Sequence, residues 1–260
     1  MRFLLLLLFS LTALPGAYAQ TAYSPADSST AWRPARALRV AVPLTLLAVA
    51  YAGKNENVVD EWKEHVRDET REAFPRFHTK IDDYTRRASL WGAYGLMVVG
   101  VHGERGAVAF TLNYALAHAV SSTVVSKLKH YTHEQRPDVA GDFSSFPSAH
   151  TADAFLTATL LHEQFGKEHP WVSVAGYTVA TATGAMRVLN DRHWASDVLA
   201  GASIGFLSAE MVWRLYPHLA RLVPGKVGGW LTVVPAYAPG QTLGLVAVLR
   251  PGSATSQSRR

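Results

Sequence analysis

The sequence predicts an all-α protein, a membrane-embedded helical bundle of about six helices that ends in a short C-terminal β-hairpin. Three observations predict it. Apolar segments at about 88–101, 106–128, 150–165, 171–187 and 196–215 follow one another, separated by short loops carrying glycine, proline or charge. Their richness in Ala, Gly, Ser and Thr suits close helix packing, in a bilayer or in a soluble bundle. The tail changes period. Trp230, Thr232 and Val234 alternate, Pro239-Gly240-Gln241 marks a turn, and Leu243, Leu245, Ala247 and Leu249 alternate again, as in a hairpin.

Taken in order, residues 1–19 read as a secretory signal peptide. Arg2 supplies the positive start, Phe3 to Leu8 the apolar run, and Ala17-Tyr18-Ala19 a small-x-small cleavage site. Residues 20–36, rich in Ser, Thr, Ala and Pro, form a flexible leader. Region 37–87 combines a short apolar segment, 37–52, with an amphipathic helical stretch. The apolar segment holds Arg39 and Pro43 and stops before Gly53; beside an exported active face it would be interfacial or re-entrant. In the amphipathic stretch Val58, Trp62 and Val66 fall four apart, and Pro75 breaks the helix. Residues 88–215 are the helical core and 216–260 the hairpin and tail. Only 106–126 stays free of charge for a spanning length, so by length several core segments suit a buried bundle as well as a bilayer.

Composition narrows the function classes. Of 260 residues, 48% are hydrophobic and 17% charged, with a formal charge of +5, which suits anionic partners. No long basic run or basic-aromatic stripe points to nucleic acid. The absence of cysteine excludes disulfides, a thiol nucleophile and a thiolate metal site.

Three polar clusters interrupt the apolar core: Lys129-x6-Arg136-Pro137, then Pro147-Ser148-Ala149-His150, then Arg187-x5-His193-x3-Asp197. Asp197 follows His193 by one helical turn, so its carboxylate can hold one ring nitrogen and leave the other free to attack. Histidine is a competent nucleophile at phosphorus. Ser148 can cap the helix that follows, whose free N–H groups bind phosphate oxygens, and His150 can donate a proton. Lys129 and Arg136 offer a point charge and a planar fork to the same anion. Each cluster alone also reads as ordinary structure: a surface His–Asp pair, a helix cap, cations at a helix C-terminus. Their order and spacing together do not.

On these residues the chain resembles the type 2 phosphatidic acid phosphatase family, which shares its fold with bacterial non-specific acid phosphatases and vanadium-dependent haloperoxidases. The family pattern is Lys-x6-Arg-Pro, Pro-Ser-Gly-His and Ser-Arg-x5-His-x3-Asp. Here Ala149 replaces the Gly and Met186 the Ser. The resemblance covers about 88–215. It implies that Lys129, Arg136 and Arg187 clamp a phosphate, and that Ser148 and the Ala149 N–H complete the cradle. It further implies that His193 attacks, Asp197 orients it and His150 protonates the leaving group. No metal and no cofactor are required, and Glu61 with His65 reads as a solvated helical face. The implied enzyme is a metal-independent phosphoric monoester hydrolase of the cell envelope, in the inner membrane facing the periplasm or in the periplasm itself. Its partners are a phosphorylated lipid or a small phosphoester, and a membrane, not nucleic acid. A soluble periplasmic acid phosphatase and a vanadium haloperoxidase are the alternatives, the latter usually much longer than this chain.

Overall fold

A computed structural model describes residues 34–52, 57–222, 231–236 and 244–249. Among them are eight helices: α1 Pro34–Ala52, α2 Asn57–Ala73, α3 Ile81–Thr85, α4 Ala88–Val98, α5 Ala107–Thr132, α6 Ala149–Phe165, α7 Pro170–Leu189 and α8 Ala195–Leu222. Strands β1, Leu231–Ala236, and β2, Gly244–Leu249, form an antiparallel ladder from Leu231↔Leu249 to Ala236↔Gly244. The signal peptide, most of the leader and the turn at 239–241 lie outside the described residues.

The helix count exceeds the expected six for two reasons. Region 56–87 divides around Pro75 into α2 and the short α3, and 37–52 is one continuous helix that begins at Pro34, inside the expected leader. That segment is not re-entrant. Near its start Arg39 meets Glu163 at 3.3 Å and Glu210 at 3.4 Å, while Leu47 and Ala50 pack with Phe146 and Ala200. Glu163 lies near the end of α6 and Ala200 near the start of α8, so α1 runs the length of the bundle. Paired with two carboxylates, Arg39 does not keep the segment out of the interior.

Helix α6 is the axis of the structure. It is buried on all sides from Thr151 to Leu161, which its small and β-branched residues permit. Leu156, Leu160 and Phe165 join Phe110, Val172 and Trp213 in the main apolar cluster. Against α8 the backbones nearly touch: a Cβ at Gly205 would lie 2.1 Å from the Ala152 carbonyl oxygen, and one at Gly201 2.4 Å from that of Ser148. Small residues at such a crossing allow the close approach that fixes the relative heights of the two helices. Helix α2 lays Trp62 and Val66 on Val188, Ala195 and Val198, so its amphipathic face covers the end of α7 and the start of α8.

Backbone atoms cannot rotate away from a new methyl, so Gly205→Ala is expected to destabilise the fold by about 1–3 kcal/mol. Gly92→Ala, in α4 with nothing within 4 Å, is expected to be neutral or slightly stabilising. Thermal unfolding of the two variants in detergent checks the contrast.

Candidate active site

The three clusters meet at one end of the bundle. The last turn of α5 brings Lys129, the start of α6 brings Ser148, Ala149 and His150, the last turn of α7 brings Arg187, and the α7–α8 loop brings His193.

His193 and Asp197 are the buried centre. The imidazole Nδ1 lies 3.3 Å from Asp197 Oδ2. That oxygen also accepts from the Ser145 hydroxyl at 2.5 Å and the Trp194 N–H at 2.9 Å. Asp197 sits in the first turn of α8, so its reach back to the Trp194 N–H is the local capping that such a position favours. Burial pushes the His193 imidazole down to about 4; Asp197 opposes this, and nearby Lys129 and Arg187 add to it. The ring is therefore neutral at neutral pH. With Nδ1–H donated to Asp197, the Nε2 lone pair is the one left for chemistry.

The second cluster is tied to the third through backbone. Ser148 N–H donates to the Asp197 carbonyl at 3.0 Å, and Ser148 Oγ caps α6 by accepting from Thr151 N–H at 3.4 Å. Ala149 opens the helix and is exposed. Among the described non-glycine residues only His133 and Asp191 have positive φ, so alanine fits at 149 without strain. As the first helical residue it keeps an N–H with no intrahelical acceptor, at the positive end of the helix dipole.

The cations are held from behind. Arg187 Nη1 donates to the buried Asp82 carboxylate at 2.5 Å, while its Nε is buried without a hydrogen-bond partner. Arg136 Nε lies 3.4 Å from Asp142 and is likewise a buried donor without a hydrogen bond. Lys129 Nζ donates to the carbonyls of Ser144 and Ser145. Every predicted site residue thus falls in this one region, and Arg136, Arg187 and Asp197 lie near enough to Lys129 to act on its charge.

Several contributors had no signal in the sequence pattern. Asp82 and Asp83 on α3 pair with Arg187 and His150, the latter through Nε2 at 2.8 Å. Ser145 holds Asp197. Arg67 on α2 forks onto Asp191 at 2.7 and 2.9 Å and donates to the Pro137 carbonyl at 2.7 Å, joining the loops of the first and third clusters. Asn190 and Thr79 exchange two hydrogen bonds of 2.9 Å. His65 turns to Glu69 at 3.6 Å, and among the described residues no group of three or more His, Asp or Glu is placed to hold a metal.

Fixed cations, a helix N-terminus and a carboxylate-held imidazole thus meet at one end of a helical bundle, an arrangement whose chemistry suits an oxyanion. A family model described as PAP2 superfamily matches residues 110–221, which contain all three clusters. The chain is 43% identical over 136 residues to lipid A 1-phosphatase of Porphyromonas gingivalis, a match covering 52% of this chain and 30% of that protein. Its fold is similar to that of a transmembrane PAP2 type phosphatidylglycerolphosphate phosphatase from Bacillus subtilis, with TM-score 0.50 and 19% identity over 72% of this chain and 98% of the other. LpxE of Aquifex aeolicus aligns over 56% of this chain and 93% of its own, with TM-score 0.41 and 22% identity.

The buried imidazole has a consequence for stability. The unfolded chain takes a proton on His193 below its ordinary value of 6.5, whereas the fold refuses it down to about 4. The unfolded state binds more protons across that window, so stability falls as the pH drops through it. The thermal midpoint in detergent is expected to decline from pH 6.5 toward 4, and less steeply in His193→Gln.

Proposed function

We propose that this protein is a metal-independent phosphatase of lipid-linked phosphates, working through a phosphohistidine at His193. The observation that carries the reading is the neutral, buried His193, held at Nδ1 by Asp197, with Lys129 and Arg187 beside it. Phosphate oxygens would take the bare Nε donors of Arg136 and Arg187, the Lys129 ammonium and the Ala149 N–H. His193 Nε2 attacks phosphorus and the P–O bond to the leaving group breaks. His150 gives that oxygen its proton. In the second half His150 takes a proton from water, the water oxygen bonds to phosphorus, and the P–N bond breaks. The fixed cations stabilise charge on the transferring group without reorganisation, a role that metal ions fill in other phosphatases.

Surface chemistry supports a lipid substrate and a membrane setting. Helices Ala107–Thr132 and Ala195–Ala220 are long and apolar enough to cross a bilayer. Large apolar side chains stay exposed along the bundle flank: Leu44 and Val49 on α1, Leu116 and Val124 on α5, Leu215 and Leu219 on α8. The likeness to a lipid A 1-phosphatase supports a phosphate on a lipid rather than a free metabolite. We place the site on the periplasmic side of an inner membrane.

The test is phosphate release from phosphatidate in mixed micelles, in the presence of EDTA. Wild type is expected to release phosphate and to yield an acid-labile phosphohistidine on quenching, while His193→Ala loses both. Release that persists in the variant at the wild-type rate rules out the nucleophile.

A further inference from the structure

The assigned groups all fall between Lys129 and Asp197, yet two of them are gripped by neighbouring carboxylates from outside that stretch. Asp82 and Asp83 sit side by side on α3 and diverge. Asp82 is buried against Arg187, whereas Asp83 has a half-exposed carboxylate that reaches Nε2 of His150 at 2.8 Å. This short helix does not float. Thr79 before it is bonded in both directions to Asn190, Thr85 accepts from Thr183 Oγ1 at 2.8 Å, and the Arg86 carbonyl accepts from Thr157 Oγ1 at 3.2 Å. Asp83 is therefore presented to His150 by a segment fastened to both α6 and α7.

We propose that Asp83 is a positioning residue for the acid–base step: it holds His150 through Nε2 and directs Nδ1 at the leaving oxygen. This inference rests on the phosphatase reading above and adds a second His–Asp pair to it, facing His193–Asp197 across the phosphate. Among the described residues, Nδ1 of His150 has no hydrogen-bond partner, so the nitrogen left over by Asp83 is the one open to substrate. The groups around the ring define what Asp83 does. Burial lowers the His150 pKa, Arg187 from α7 and Arg86 from the α3–α4 junction lower it further, and Asp83 alone among these groups raises it. Remove that charge and two guanidiniums face an imidazole with nothing to favour its cation. The two histidines then divide the work by their surroundings: burial keeps His193 neutral while Asp197 aims it, and Asp83 opposes the burial and the two guanidiniums that lower the His150 pKa.

The experiment compares wild type, Asp83→Asn and Asp83→Glu on two substrates, phosphatidate and p-nitrophenyl phosphate, across pH. An alkoxide leaving group needs the proton and p-nitrophenolate does not. Asp83→Asn is expected to lose about 100-fold in kcat/KM on phosphatidate and less than about tenfold on p-nitrophenyl phosphate. The basic limb of its phosphatidate profile is expected to move to lower pH, with partial recovery in Asp83→Glu. Because the Asp83 side chain is 54% exposed, the substitution leaves no cavity. Equal losses on both substrates with an unmoved basic limb overturn this inference while leaving the phosphatase reading intact. A wild type that hydrolyses neither substrate overturns both.

Discussion

Crowding of like charge is the constraint on which the rest of this structure depends. Lys129, Arg136 and Arg187 converge at one end of the bundle, and two unit charges 4 Å apart repel by about 4 kcal/mol at an effective dielectric of 20. The fold offsets this by holding each cation from behind. Asp82 takes Arg187, Asp142 takes Arg136, and the carbonyls of Ser144 and Ser145 take Lys129. What remains uncompensated is directional: the Nε donors of Arg136 and Arg187 are buried with no hydrogen bond. An unsatisfied buried donor costs about 1–3 kcal/mol until something accepts from it. A phosphate of the kind proposed above would relieve that cost, and the bare donors would then contribute to its binding.

Such convergence requires helix ends at matching heights, and the close crossing of α6 and α8 sets them. Gly201 and Gly205 let α8 pass at backbone distance from Ser148 and Ala152. The same approach lets the Ser148 N–H reach the Asp197 carbonyl. One packing contact thus fixes the second cluster relative to the third. The loops that complete the site are then fastened by α2, where Arg67 bridges Asp191 and Pro137.

What the sequence disclosed follows from the range of each interaction. His193 and Asp197 are one turn apart, and Ser148 caps the helix it precedes, so spacing made the pair and the cap legible, though not their chemistry. The amphipathic face of α2 was legible for the same reason, although the surface it covers was not. Arg39 seemed to argue against a continuous buried helix at 37–52, because its partners Glu163 and Glu210 lie 124 and 171 positions away. Asp82 and Asp83 contact Arg187 and His150 across 105 and 67 positions. A pair of adjacent aspartates in a charged stretch looks like any solvated surface until the chain folds back.

The two ends of α6 show what separates a site from a staple. At the far end Glu163 and Glu210 meet the guanidiniums of Arg39 and Arg214, charge against charge, fastening α1 to α6 and α8. At the site end Asp82 still pairs with Arg187, but Asp197 and Asp142 are engaged largely by neutral donors. Asp197 accepts from Ser145, Trp194 and His193, and Asp142 from the N–H and hydroxyl of Ser144. Those bonds fix the acids in place while leaving the cations short of acceptors. Equal numbers of charges can therefore either close on one another or hold a space open for an anion. Which of the two occurs is decided by hydroxyls and backbone N–H groups that carry no charge at all.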